Sequence, residues 1–360
     1  MPSVGRRSTL HSVDENEDVL VTVANGIGRI TLNRPKAINS LTHPMVTAID
    51  ATLKTWQTDD SVTAVLVTGA GERGLCAGGD VVAIYHDAKV GGALTRRFWH
   101  DEYLLNSYIG RYPKPYVAIM NGITMGGGVG ISAHGSVRVV TETTKMAMPE
   151  VGIGFIPDVG GTFILSRTPG LLGVHAAMTG APFSGADAIE MGFADHFVPQ
   201  DQLEAFVAAV EADGVDAAVA AHAQQPPPSP LSAHREWIDS CYAAGTADDI
   251  VSALRAHGAQ PATDAADLIA SRSPVAVSVA LEAVRRAAGL ATLEDVLRQE
   301  FRTSIAALRS HDLVEGIRAL LIDKDKNPQW SPATLADVTA ADIEAYFVSA
   351  DPDINFEEQS

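Results

Sequence analysis

Two carboxylates, Glu150 and Asp158, stand eight residues apart in an apolar, glycine-rich stretch, GITMGGGVGISAHGSVRVVTETTKMAMPEVGIGFIPDVGGT over 122–162. Met146, Met148, Val151, Ile153 and Phe155 surround Glu150. An acid among such neighbours is poorly solvated as an ion, so its pKa rises toward neutrality. Each acid follows a proline, Pro149 or Pro157, which fixes the local backbone. Two such acids can divide labour, one neutral and donating, the other ionised and accepting. Just upstream, Gly126, Gly127 and Gly128 follow a strand-like run. A glycine run lets backbone N–H groups approach a ligand closely, and it equally serves tight strand–helix packing. A second small-residue loop, Cys76-Ala77-Gly78-Gly79-Asp80, follows another strand-like run. One N–H from each loop would make the two-donor hole that stabilises a developing oxyanion. Donors for negative charge beside an acid poised for proton transfer belong to acyl-transfer or enolate chemistry.

Glu102 is a further candidate, sharing a helix face with Phe98, Trp99, Leu105 and Ile109. An acid on an apolar face is costly unless it is used or paired. Arg96, Arg97 and Lys114 are its available partners. Other chemistries find little support. No P-loop or dinucleotide spacing accompanies the glycines, no GxSxG elbow is present, and the 11 histidines offer no HExxH. A metal site is therefore not expected. His134 reads as structural and Cys76 as packing, since no histidine or base stands near that cysteine in sequence.

The elements that must position these groups follow from periodicity. Strands are predicted at 19–24, 27–32, 62–68, 116–120 and 137–141, the first two joined by the hairpin signal Asn25-Gly26. Helices are predicted at 44–56, from Met45, Ile49, Leu53 and Trp56, at 93–109, and from Val129 to His134. Ser184–Asp187, Thr246–Asp249 and Thr292–Asp295 have capping-box spacing, and Ser273-Pro274 reads as an N-cap with proline at the first helical position. Over 293–308 the apolar residues Leu293, Val296, Leu297, Phe301, Ile305 and Leu308 form one face, with charges opposite. The prolines of QQPPPSP, 224–230, mark a linker. The expected organisation is an α/β core over 1–223, that linker, and a helical region over 231–360.

With 44 acids against 26 bases the formal charge is −18, which disfavours nucleic acid and anionic membrane as partners. An anionic substrate would need a local basic cluster, such as Arg29, Arg34 and Lys36, or Arg96 and Arg97. Two cysteines fit a reducing compartment. Arg6, Arg7, Ser8 and Thr9 have the flavour of a transit peptide, but Asp14, Glu15, Glu17 and Asp18 follow. The expected compartment is the cytoplasm.

The segments ITLNRPKAINSL, GLCAGGD, KPYVAIMNGITMGGGVGIS and AMPEVGIGFIPDVGG resemble the enoyl-CoA hydratase/isomerase (crotonase) superfamily. With HDLVEGIRALLIDKDKNPQWSPATL they are most similar to its 3-hydroxyisobutyryl-CoA hydrolase branch, and the likeness covers about residues 19–335. The resemblance implies a crotonase-like spiral of ββα turns with a helical C-terminal lobe and an acyl-CoA substrate bound between them. It places the oxyanion donors at the N–H groups of Gly79 and Gly127, and the catalytic carboxylate at Glu150 with Asp158 as its partner. Glu102 is assigned to substrate contact, and Ala77 and Asp80 fall in a segment that lies near coenzyme A. No cofactor is implied beyond the coenzyme A of the substrate, and a homo-oligomer is compatible. Hydratases of this superfamily carry a second glutamate where this chain has Gly130. That departure favours the hydrolase branch, with a hydratase or isomerase of the same fold as the alternative.

Overall fold

The computed structural model describes residues 17–357. The transit-peptide-like residues Arg6–Thr9 lie outside that range. β1 (Val19–Ala24) and β2 (Ile27–Leu32) form the predicted antiparallel hairpin, with Asn25 at φ 50° and Gly26 at φ 84° in its two-residue turn. Helix α1 (His43–Gln57) follows, capped by Thr42, whose hydroxyl accepts the Met45 N–H, and it buries the predicted Met45, Ile49, Leu53 and Trp56.

From here the chain repeats one motif. A strand joins a large sheet, a shorter strand turns off it, and a helix or turn returns. In the first turn β3 (Ala64–Gly69) pairs parallel to β2, Cys76 makes the short-strand bridge with Thr124, and α2 (Val81–Ala88) and α3 (Ala93–Gly110) return. In the second, β4 (Tyr116–Ile119) is followed by β5 (Ile123–Met125) and α4 (Gly127–Gly130). In the third, β6 (Val137–Val140) is followed by β7 (Lys145–Ala147) and a 3-10 turn at Glu150–Ile153. A short helix α5 (Gly161–Leu165) comes next, and β8 (Phe183–Ser184) and β9 (His196–Phe197) close the two sheets. The large sheet has the order β1-β2-β3-β4-β6-β9 and the small one β5-β7-β8. This is the spiral of ββα turns.

β3 and β4 are apolar without alternation because both sheet faces are covered. Ile30, Val65 and Val67 face the main core, while Leu66, Val117 and Val139 pack under Phe206 and Val210 of the helix Leu203–Asp213. Two predictions required adjustment. β5, β7, β8 and β9 were not predicted, because strands of two or three residues leave no period to read. The helix expected from Val129 to His134 instead occupies Gly127–Gly130 and gives way to turns.

Residues 224–230 run extended, pinned where Gln224 N donates to the Phe197 carbonyl and Ser229 Oγ donates to Asp187. Beyond them the chain is helical. Thr246–Asp249 closes as a reciprocal capping box, as does Ser184–Asp187. At Thr292 only the bond from Asp295 N is formed, and Arg298 takes the Asp295 carboxylate at 3.1 Å. Ser273 caps the helix Pro274–Ala287 as expected. One hydrophobic cluster runs from Val19 to Phe356, so the helical region completes the core of the spiral. Among the described residues no helix is long and apolar enough to cross a membrane.

Candidate active site

Ala77, Gly79, Asp80, Glu102, Gly127, Glu150 and Asp158 all line one cavity of about 590 Å3. Its floor is the spiral and its far wall comes from the C-terminal helices, through Leu313, Ile317 and the π-turn residues Leu320 and Leu321. Arg318 holds that turn through Glu315 at 2.8 Å, Asp323 at 2.7 Å and Asp325 at 2.6 Å. Trp99 and Phe155 stack at 4.8 Å between ring centres beside the acids and keep the interior apolar.

The two glycine loops meet here. The 76–80 loop is laid between neighbouring segments: Leu41 N donates to the Gly78 carbonyl at 2.8 Å and Asp80 N to the Leu41 carbonyl at 2.9 Å. Gly78 has φ 107° and Gly126 has φ 49° with ψ −121°, conformations that suit glycine and bring the loops together. Gly127 opens α4, so its N–H has no intrahelical carbonyl to bond. A Cβ on Gly127 would lie 3.4 Å from the Gly79 nitrogen and 2.6 Å from Glu102 Oε1. Two amides and a carboxyl group thus surround one small space.

The acids are as poorly solvated as their neighbours suggested. Glu102, Glu150 and Asp158 are 2%, 6% and 5% exposed. Burial, then the Asp158 charge, push both Glu102 and Glu150 well above the usual carboxylate range. Burial raises Asp158 itself to about 7, against a hydrogen bond from Tyr103. Glu102 Oε1 and Glu150 Oε2 are buried without a hydrogen-bond partner in the protein. The partners proposed for Glu102 are engaged elsewhere. Arg96 donates to the Pro352 carbonyl, Arg97 faces Asp101 at 3.8 Å, and Lys114 donates to the carbonyls of Trp56 and Asp59. The long side chains on α3 reach outward while Glu102 points in.

At Gly130 there is no room for a side chain. A Cβ would meet Val159 Cβ at 2.7 Å and Asn106 Nδ2 at 2.8 Å. Of the basic clusters, Arg34 is committed to structure at the cavity mouth: Nη1 donates to the Ser40 carbonyl at 2.6 Å and Nη2 to Asp80 Oδ2 at 3.1 Å. Arg29 faces Glu211 at 3.6 Å. Cys76 is buried, with its thiol pushed up to about 12 by desolvation, which fits packing rather than nucleophilic attack. His134 is structural, its Nε2–H donating to the Val159 carbonyl at 2.8 Å.

Three residues escaped the sequence reading. Tyr103 donates to Asp158 Oδ2 at 2.6 Å, and Ser304 lies 2.7 Å from the Tyr103 hydroxyl. Glu300, fully buried, accepts from Gly160 N, Thr162 N and Thr162 Oγ1 at 2.6, 2.9 and 2.6 Å. The charges of 293–308 were expected to face away from the core. Glu300 had a legible signal, lying four residues after Val296 and three after Leu297 on the apolar face.

A family model described as enoyl-CoA hydratase/isomerase matches residues 27–347. The mitochondrial 3-hydroxyisobutyryl-CoA hydrolase of Danio rerio is 41% identical, over 97% of this chain and 95% of that protein. Among solved structures, a carnitinyl-CoA dehydratase from Mycobacterium thermoresistibile is 70% identical with a TM-score of 0.93, covering 95% of this chain and 99% of its own. An enoyl-CoA hydratase from Rhodobacter sphaeroides 2.4.1 is 38% identical with a TM-score of 0.90, covering 94% and 100%. The chain belongs to the enoyl-CoA hydratase/isomerase family and, within it, to the 3-hydroxyisobutyryl-CoA hydrolase branch.

Proposed function

We propose that this protein hydrolyses 3-hydroxyisobutyryl-CoA, or a closely related short 3-hydroxyacyl-CoA, to the free acid and coenzyme A, a step of valine breakdown. The observation that carries this reading is the meeting of Glu150 and Asp158 in one cavity, while at position 130, where hydratases of the superfamily carry a second glutamate, Val159 and Asn106 leave no room for a side chain. The thioester carbonyl oxygen sits between the N–H groups of Gly79 and Gly127, which take up charge as the carbon becomes tetrahedral. Glu150 then acts in one of two ways. As nucleophile it forms a mixed anhydride and expels the thiolate, and water cleaves the anhydride. As general base it takes a proton from the water that attacks the carbonyl. In both, the thiolate leaves with a proton and the acyl group leaves as the acid. Asp158 sets the proton affinity of Glu150, and Glu102, with its unpartnered oxygen beside Gly127, contacts the acyl group's hydroxyl. No metal or redox cofactor enters this scheme, because no oxidation state changes and backbone dipoles meet the developing charge.

The names of the two solved relatives favour a second reading, addition or removal of water across a double bond. That reaction needs an acid poised over the alkene, and Asn106 and Val159 occupy the space such a group would need at position 130. Side-by-side assays decide. The expected result is rapid thiol release from 3-hydroxyisobutyryl-CoA with little loss of enoyl absorbance from crotonyl-CoA. Fast hydration with negligible thiol release would overturn the hydrolase reading.

Asp158→Asn is expected to lower thiol release by about a hundredfold. It should also displace the pH profile. The Asp158 charge raises the proton affinity of Glu150, so removing it lets Glu150 ionise at lower pH and moves the acidic limb downward. A small rate loss with an unmoved limb would reduce Asp158 to a structural residue. We place the protein in the cytoplasm. Both cysteines are free and buried, which supports a reducing compartment, while the vertebrate relatives are named as mitochondrial.

A further inference from the structure

Behind Asp158 lies a chain of hydroxyls that the proposed reaction does not use. Tyr103 is fully buried next to Glu102 on α3, and it donates its only hydroxyl proton to Asp158 Oδ2 at 2.6 Å. It must therefore accept from Ser304, 2.7 Å away and also fully buried, on the helix Leu293–Leu308. The bonds run one way, Ser304 to Tyr103 to Asp158, and each polarises the next. Glu300, one turn earlier on the same helix, grips the loop just after Asp158 through Gly160 and Thr162. Between them Val159 has φ 54°, a left-handed conformation that a β-branched residue keeps only when its surroundings enforce it. The helix Leu293–Leu308 thus holds the Asp158 side chain through Tyr103 and the loop that follows it through Glu300.

Resting on the hydrolase reading and extending it beyond the cavity wall, we infer that Tyr103, oriented by Ser304, is a positioning residue that aims the Asp158 carboxylate and stabilises its charge. The tyrosine ring alone does not explain the arrangement. It packs edge-on to Phe301 at 6.2 Å, a contact that phenylalanine would make equally well. The hydroxyl is the distinguishing atom. The groups facing Asp158 are Glu102 and Tyr103 from α3, Glu150 from its 3-10 turn, and Glu300 from the helix Leu293–Leu308, whose Ser304 stands behind Tyr103. His134 stands behind Val159 and is kept neutral, with burial lowering it to about 4. Among the described residues no cation offsets the acids, so the Tyr103 bond is the main side-chain influence favouring ionised Asp158.

The test compares Tyr103→Phe and Ser304→Ala with the wild type. Carboxyl titration of the substrate-free protein is followed by infrared difference spectroscopy, with Asp158→Asn identifying the band. In Tyr103→Phe the Asp158 midpoint should rise by about one pH unit. In Ser304→Ala it should rise less, in the same direction. Both variants should lose kcat for thiol release with little change in KM, and retain the near-ultraviolet circular dichroism of the folded protein. If Tyr103→Phe misfolds, Ser304→Ala carries the test alone. An unmoved midpoint in a folded variant overturns the positioning role, whatever the activity. A moved midpoint, together with a wild-type protein that releases no thiol, upholds it and defeats only the hydrolase reading.

Discussion

Glu150→Gln is expected to lose at least about a thousandfold in thiol release while still binding acyl-CoA. The amide keeps the shape of the side chain, so the cavity walls and the space beside Gly126 are unchanged. It removes the one feature that both mechanistic branches need, an oxygen that can carry negative charge and accept a proton. Glu150 is 6% exposed, with Oε2 buried and unpartnered, so the wild type bears the cost of a poorly solvated carboxyl group there. A neutral amide relieves the repulsion from Asp158, and the variant should melt no lower than the wild type. That combination, activity gone with stability kept or raised, distinguishes an active-site acid from a structural one. Single-turnover thiol release, calorimetric titration with substrate and thermal melting check it. Release near the wild-type rate would remove Glu150 from the reaction.

The contrast between what could and could not be read from the sequence follows from how far apart the interacting residues lie. Glu150 and Asp158 were legible because their chain neighbours are apolar. The long elements were legible because burial imposes a period: α1 and the helix Leu293–Leu308 match their apolar spacing. Local capping chemistry was equally readable at Ser184 and Thr246. The Ser304–Tyr103 bond joins residues 201 apart, and no local pattern announces it. Glu102 shows the intermediate case. Its place on an apolar face was plain, but whether an arginine reached back to it depended on rotamers and on the C-terminal tail that takes Arg96. Gly130 is the same lesson in reverse. The sequence offers a missing acid, and only packing shows that Asn106 and Val159 have closed the space.

Gly127→Ala should lower turnover by about a hundredfold to a thousandfold, the loss seen when one oxyanion donor fails. The substitution adds a single methyl group at the point where the two loops and Glu102 converge. That carbon would stand 2.6 Å from Glu102 Oε1, 3.1 Å from Leu41 Cδ1 and 3.4 Å from the Gly79 nitrogen. It would therefore occupy the space in which a carbonyl oxygen must lie to reach the Gly79 N–H. Glu102 would have to swing aside as well, moving the group proposed to meet the substrate's hydroxyl. The fold should tolerate the change far better than the chemistry does. Gly127 opens a helical turn without a positive φ, so alanine fits its backbone, and its nearest obstruction is the tip of a side chain. Gly128→Ala is the control. Its Cβ would meet the Cys76 carbonyl oxygen at 2.5 Å, a backbone atom that cannot give way, so that variant should lose stability first. Melting temperatures and thiol release measured on both variants separate the two effects. If Gly127→Ala turns over within a few-fold of the wild type, the carbonyl oxygen does not bind between these loops, and the reaction must stabilise its charge elsewhere.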